Sequence, residues 1–418
     1  MRWRAKHLFE ACRMTLQAFQ LPQQLADLTA QHLSRRTRAV ERGVTPYVWR
    51  DGKQYLNFSS NDYLGLAEHP AVIDAAQNHL KQHGIGAGAA HLITGHTSLH
   101  DQLEQRLASL TGYPCALLFS TGYMANLGVM DALLSAKDIM YQDRLNHASL
   151  LDGGRLSGAK MRRYAHRDLV MLEHWLKTDD APRKLIVTDQ VFSMDGTEAP
   201  LTELIDLAER YQAALMIDDA HGFGLRSQAL PPVDVYMATL GKAVGTFGAF
   251  VAGSDDLIAY LTSRARTFCF TTATPPLLAA ATLAALDVIE CEPERRQQLQ
   301  ANIAQLREGL QAQGWQLIES QTAIQPIIVG DAAQTLALSQ RLADQGILAV
   351  AIRPPTVPQG TSRLRVTLSA AHTAEHVGRL VDVMAGLFHQ DFLKKPVDSH
   401  TINHPTCFIK NHCSAIYP

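Results

Sequence analysis

A chain of 418 residues, 46% hydrophobic and 19% charged, has the material for a sizeable core and enough length for one large unit plus a smaller one. Lys+Arg 38 against Asp+Glu 40 leaves a net charge of -2, which gives no electrostatic reason for a nucleic-acid or membrane partner. Six scattered cysteines without a CxxC pair argue against a disulfide framework, and without a secretory-type start or a membrane-length apolar run the expected location is the cytoplasm.

Residues 1–55 read as an N-terminal helical segment, with an amphipathic helix over 21–40 ending in the basic cluster Arg35, Arg36 and Arg38. From about residue 56 short apolar runs alternate with helical stretches. Runs of strand length cover 116–120, 185–189, 214–218, 235–239 and 249–252, and helix-like segments cover 100–110, 125–136 and 201–211. That alternation predicts an α/β unit over 56–285 with a largely parallel sheet buried on both faces. A long helical stretch at 281–315 leads into strand-like runs at 323–329, 349–352 and 363–368, interleaved with helices around 333–345 and 373–388. These predict a smaller C-terminal α/β unit over 286–392. Residues 393–418 lose periodicity and read as an irregular tail. Its His400, His404, Cys407, His412 and Cys413 match no zinc spacing, so no metal site is assigned.

Three segments carry chemistry. The run ALMIDDAHG, 214–222, is an apolar strand that ends in two acids, and side chains at the carboxyl ends of strands line the ligand crevice of open α/β sheets. Asp218 is therefore placed to address a ligand, although an acid at a strand end also caps turns. In TLGKAVG, 239–245, glycines around Lys242 allow the amine to project into a pocket as a Schiff-base former or a phosphate ligand. The loop is not a Walker A sequence. In FSTGYMAN, 119–126, a strand runs through Ser-Thr-Gly into a helix, whose N-terminal amides form a ready phosphate site. Together the three suit pyridoxal 5'-phosphate (PLP): a lysine to hold the aldehyde as an imine, an acid to keep the pyridine nitrogen protonated, and a turn for the phosphate.

The chain resembles the α-oxoamine synthases, within the aspartate-aminotransferase-like PLP fold, over about residues 25–390. The resemblance rests on NFSSNDYLGL at 57–66, DRLNHAS at 143–149, VFSMDG at 191–196, DDAHG at 218–222 and TLGK at 239–242, in that order. It implies PLP carried on Lys242, which also acts as the base at the substrate Cα. It implies that His147 stacks on the pyridine ring, that Asp218 pairs with the ring nitrogen, and that His221 and Ser193 address the ring hydroxyl oxygen. Gly122, Tyr123 and Thr239 become ring or phosphate contacts, and Thr272 reaches the phosphate of a neighbouring subunit in a homodimer with shared sites. Asn61 and Arg365 hold the amino-acid carboxylate, while Arg35 and Thr356 contact the acyl substrate.

The implied reaction is decarboxylative condensation of an amino acid with an acyl thioester. The segments 322–326 and 353–358 tilt the expectation towards L-alanine and a pimeloyl thioester, carried on coenzyme A or an acyl carrier protein. A sister enzyme using glycine is the alternative. A nicotinamide dehydrogenase is suggested by the glycines at 84, 86 and 88, but that run follows a helical stretch where the dinucleotide fingerprint needs a strand. The chain also departs from the family pattern. Asp189 stands where a glutamate is usual, and the segment between Gly224 and Val235 is short and lacks a Gly-Arg-Gly.

Overall fold

The computed structural model describes residues 17–30, 34, 37–43 and 45–387. Its centre is a seven-stranded sheet of β4 (Cys115–Phe119), β5 (Ile139–Asp143), β6 (Lys160–Tyr164), β7 (Lys184–Asp189), β8 (Ala214–Asp218), β9 (Val235–Thr239) and β10 (Ala249–Gly253), in the order β4-β10-β9-β8-β7-β5-β6. Every pairing is parallel except the two made by β10, so the sheet is mixed but mainly parallel.

Strand alternation puts successive side chains on opposite faces, and here both faces are dry. Ile186, Leu215, Ile217, Tyr236 and Phe250 join one apolar core. Their neighbours Leu185, Val187, Met216, Met237 and Val251 join another. Both cores are covered by the helices that connect the strands, which explains why these runs are almost continuously apolar in sequence.

A three-stranded antiparallel sheet, β11 (Ile324–Gly330), β14 (Ser362–Thr367) and β13 (Val350–Ile352), belongs to the C-terminal part. A third sheet joins the two ends of the chain. Strands β1 (Glu41–Arg42), β2 (Tyr47–Arg50) and β3 (Lys53–Asn57) form a meander, and β12 (Ile347–Leu348) pairs in parallel with β3. The helical expectation for residues 1–55 is thereby corrected. Among the described residues the helix there is Leu21–Ala30, preceded by a short turn at Gln17–Phe19, and residues 41–55 contribute strands. The helical stretch expected at 281–315 is two helices, Pro276–Cys291 and Glu294–Ala312. Pro293 lacks an amide hydrogen and clashes with a preceding turn, so it opens the second helix and cannot continue the first. The first helix consequently runs unbroken across residue 285. The strands β5 and β6 were absent from the sequence reading; β5 is fully buried yet carries polar Gln142 and Asp143, and the edge strand β6 carries Arg162 and Arg163 with Lys160 and Arg163 exposed. Among the described residues, no helix is long and apolar enough to cross a membrane.

Candidate active site

The parallel strands β7 and β8 end on acids that are register partners, Asp189 beside Asp218, both almost fully buried. Each carboxylate is claimed by a neighbour. Asn126 Nδ2 donates to Asp218 Oδ2 at 2.8 Å and to Ser149 Oγ at 2.9 Å, and the Ala220 amide donates to Asp218 Oδ1 at 2.9 Å. The His147 amide donates to Asp189 Oδ2 at 2.9 Å. Burial, together with the charge of Asp218, pushes the Asp189 carboxyl well above its ordinary pKa. One acid of the pair is thus biased towards its protonated form.

Lys242 lies in the turn after β9, closed by a hydrogen bond from the Gly245 amide to the Lys242 carbonyl at 2.9 Å. Gly245 has φ +75, and a Cβ there would sit 2.6 Å from Ala67 N, so the turn rests directly on the backbone after the NDYLGL segment. Burial lowers the Lys242 pKa to about 8, against the opposing pull of Asp218 and Asp189. An amine that loses its proton this readily is suited to imine formation.

The helix Gly122–Leu133 starts at the end of β4, with Thr121 as its cap: Thr121 Oγ1 accepts from the Met124 amide at 3.1 Å. First-turn amides have no acceptor within their own helix and attract anions. A Cβ on Gly122 would stand 2.6 Å from Thr239 Cγ2, so two residues far apart in sequence meet at this helix end. The Tyr123 ring packs edge-on to His147, at 6.3 Å and 80°, and its hydroxyl donates to Asp152. His147 caps the helix Ala148–Ser157, with its Nδ1 2.7 Å from Ser149 Oγ. Its ring is exposed by surface area, yet enough protein crowds it that desolvation lowers its pKa, which favours the neutral imidazole.

Strand β14 brings Arg365 to the same place. Its Nε donates to the Ser193 carbonyl at 2.7 Å and its Nη1 to Thr367 Oγ1 at 3.1 Å. Nη1 and Nη2 both lie 3.4 Å from Asn61 Oδ1. The adjacent Arg363 pairs with Asp195, so two arginines of one strand hold the 193–195 turn. His221 is buried, and its pKa is pushed well down by burial first and then by Lys242 and Arg365.

The structure therefore brings Asp218, His147, His221 and Arg365 each within electrostatic range of Lys242. It links Asn61 and Ser193 to Arg365, Gly122 to Thr239, and Tyr123 to His147. Thr272 and Thr356 stand apart. Thr272 is exposed and bridges Ala90, and Thr356 is exposed in the turn after Arg353. Arg35 and the tail from 393 lie outside the described residues. Sequence reasoning gave no role to Tyr63, Asn126 or Ser149, although Tyr63 and Ser149 lie inside the NDYLGL and NHAS motifs and Asn126 ends FSTGYMAN. Only the fold shows that Asn126 reaches Asp218.

A histidine cluster lies nearby at His91, His96 and His100. His100 has no lone pair left for a cation: its Nδ1 takes the Thr97 amide at 3.0 Å and its Nε2 gives to the Thr274 carbonyl at 2.8 Å. His91 and His96 face each other through their Nδ1 atoms at 2.8 Å, with Asp101 2.9 Å behind His96.

The donor set at the sheet edge fits PLP: a readily deprotonated lysine, an acid held by a neutral amide, and a helix N-terminus packed against a strand end. Comparison with known proteins agrees. Residues 53–384 match the family described as Aminotransferase class I and II. A variant serine palmitoyltransferase of S. paucimobilis, solved with a bound PLP–myriocin aldimine, superposes with a TM-score of 0.82 at 28% identity, covering 89% of this chain and 97% of that one. The 8-amino-7-oxononanoate synthase of Francisella tularensis superposes with a TM-score of 0.71 at 28% identity, covering 81% and 99%. In sequence, the 8-amino-7-oxononanoate synthase of Cellvibrio japonicus is 49% identical over 385 residues, covering 90% of this chain and 97% of its own length. That of Pseudomonas putida is 51% identical over 385 residues, covering 89% and 98%. Fold and relatives together define a PLP-dependent acyltransferase of fold type I. Within that class the chain belongs to the 8-amino-7-oxononanoate synthase family.

Proposed function

We propose that this chain condenses L-alanine with a pimeloyl thioester to give 8-amino-7-oxononanoate, carbon dioxide and the free thiol, a step of biotin biosynthesis. The observation that carries the reading is the convergence of Lys242, from the turn after β9, and Asp218, at the end of β8, with Arg365 of the C-terminal sheet. Bound PLP supplies an electron sink, a protonated pyridine conjugated to an imine.

This chain's residues do the rest. Lys242 would hold the cofactor aldehyde, and its Nζ would take the proton from the alanine Cα. Asp218, hydrogen-bonded by the Asn126 amide, would pair with the ring nitrogen and favour its protonated form. His147 would lie against the ring face, and His221 and Ser193 would address the ring hydroxyl oxygen. Gly122, Tyr123 and Thr239 receive the phosphate. Arg365, oriented by Ser193 and Asn61, grips the alanine carboxylate until it leaves as carbon dioxide. Arg35 and Thr356 contact the acyl chain.

We also read the working unit as a cytoplasmic homodimer in which Thr272 completes the partner's phosphate site. Exposed apolar side chains on the same part of the molecule, Ile93 at 75% and Phe270 at 75%, support a covered surface. A glycine-using sister activity is the competing reading. Purified enzyme with PLP, alanine or glycine, and acyl thioesters of coenzyme A and of an acyl carrier protein separates them by product mass. Alanine with the pimeloyl group is expected to give the aminoketone, and preference for glycine with a short acyl group overturns the assignment. Lys242→Ala should form no borohydride-reducible adduct with PLP.

A further inference from the structure

Tyr63 is fully buried, and its hydroxyl lies 2.6 Å from His221 Nδ1. Either atom could be the donor, and the geometry decides between them. A separation of 2.6 Å is short for an N–H donor but ordinary for an O–H donor. Among the described residues the other acceptor near the hydroxyl, Asn61 Oδ1, is farther away at 3.3 Å and already faces two N–H groups of Arg365. The hydroxyl proton therefore points at His221, and Nδ1 is the lone-pair side of the ring. Both groups are in the form this requires. Burial raises the Tyr63 pKa to about 12, so the phenol keeps its proton, and His221 stays neutral. The remaining ring proton is then on Nε2, an atom with no hydrogen-bond partner among the described residues.

We propose that Tyr63 is a positioning residue: its hydroxyl, bonded to His221 Nδ1, holds His221 as the Nε2–H tautomer, so the ring offers a hydrogen-bond donor to the cofactor. This rests on the reading that His221 addresses the PLP ring hydroxyl oxygen. A neutral imidazole is donor on one nitrogen and acceptor on the other, so a free His221 would divide between two tautomers. Only one of them stabilises an anionic ring oxygen. The same hydroxyl touches Asn61 Oδ1, the acceptor facing Arg365, so Tyr63 sits between the ring-oxygen contact and the carboxylate contact.

The test is the visible titration of the PLP-loaded enzyme without substrate. Donation to the ring oxygen favours the deprotonated form of the lysine-bound cofactor, so losing it raises the titration midpoint. Lys242, Arg365 and His147 are the charged or titratable groups facing His221, and Arg365 also faces Tyr63. None of them is altered by Tyr63→Phe. That variant should raise the midpoint by roughly 0.4–1 pH unit, the worth of one hydrogen bond, and weaken PLP binding roughly 2- to 10-fold. Tyr63→Gln retains a side-chain donor and should recover part of the shift.

His221→Ala alone should raise the midpoint, and adding Tyr63→Phe to it should change nothing further. Equal shifts from Tyr63→Phe in both backgrounds, or none in the His221-containing enzyme, overturn the proposal. If His221→Ala leaves the midpoint in place, the contact between His221 and the ring oxygen is what fails, and the proposal falls with it. Should Tyr63→Phe unfold, the comparison of Tyr63→Gln in the two backgrounds gives the same answer.

Discussion

The carboxyl of Asp189 accepts the backbone amide of His147 at 2.9 Å, so the residue proposed to lie on the cofactor ring is held through its main chain by the end of the neighbouring strand. His147 is also the cap of its helix, with its Nδ1 near Ser149. A glutamate at position 189 would have one more methylene in this buried space, and the shorter Asp189 fits the 2.9 Å contact. Removing the acceptor leaves a part-buried amide unsatisfied. Asp189→Ala should therefore destabilise the protein by about 1–3 kcal/mol in urea unfolding. Asp189→Asn keeps an acceptor oxygen and should stay within about 1 kcal/mol of the parent. The raised folded pKa means that the protonated acid is favoured in the native state. The stability Asp189 contributes is present below its unfolded pKa and lost as pH rises through its folded pKa. The Asn variant should lack that decline, gaining on the parent as the pH is raised. An Asn variant that loses ground with rising pH would contradict the assignment.

Lys242 carries the clearest pH prediction. With its pKa lowered to about 8, roughly a tenth of the amine is free at pH 7, against about three in ten thousand for an ordinary lysine. The rate at which apoenzyme captures PLP should rise with pH and level off around a midpoint near 8, followed by absorbance after mixing. Asp218 and Asp189 both favour the protonated amine, whereas Arg365 opposes it. Asp218→Asn should therefore move the midpoint downwards, and an upward movement would rule out this balance of charges.

The ring-nitrogen role of Asp218 has its own signature. In Asp218→Asn the site keeps its shape, so PLP should still bind. Loss of the anion that retains the ring proton should slow hydrogen–deuterium exchange at the alanine Cα by roughly 100-fold or more. Exchange at the parental rate would remove Asp218 from the chemistry.

Much of this arrangement was legible before the fold. The strands 214–218 and 235–239 were read to the residue because they are central and dry on both faces, which leaves an apolar run with sharp polar ends. Strands β5 and β6 were missed because Gln142, Asp143, Arg162 and Arg163 interrupt that texture. Those polar groups find partners only in three dimensions, such as the Leu150 carbonyl 2.8 Å from Gln142 Nε2. The strands at 41–57 pair mainly with one another, β2 and β3 through a two-residue turn at Asp51-Gly52 with both φ positive, so a local hairpin signal was present in the sequence and only the pairing of β3 with Ile347 and Leu348 lay out of its reach. In the site, residue types that carry charge were visible in the motifs. The neutral groups that fix them, Asn126 on Asp218 and Tyr63 on His221, were not, because their roles lie in distances of 2.8 and 2.6 Å between segments far apart in sequence.

Arg365 separates binding from chemistry. Its guanidinium is held on the protein side by Ser193 and Thr367, while Nη1 and Nη2 reach Asn61 Oδ1 only at 3.4 Å, a long contact that an incoming carboxylate can displace to meet the same two donors. Lysine retains the charge but cannot make these contacts together. Arg365→Lys should raise the KM for alanine by about 10- to 100-fold while leaving PLP binding and its absorption spectrum unchanged. An unchanged KM would place the carboxylate elsewhere.

Gly245 tests how far the position of Lys242 depends on its turn. The residue has φ +75, and an added Cβ would lie 2.6 Å from Ala67 N and 2.8 Å from Leu66 C, both backbone atoms of a segment that continues from Tyr63. Neither obstacle is a side chain that could swing aside, so Gly245→Ala must displace either the turn or the NDYLGL segment. The left-handed conformation and the overlap together should cost at least about 2 kcal/mol of stability. Because the Gly245 amide closes the turn on the Lys242 carbonyl, the amine should also lose its enclosed setting. Its pKa would then rise towards the ordinary value, and PLP capture at pH 7 should slow in the variant far more than at pH 9. A uniform slowing at both values would mean that the turn supports the fold without setting the acidity of the amine.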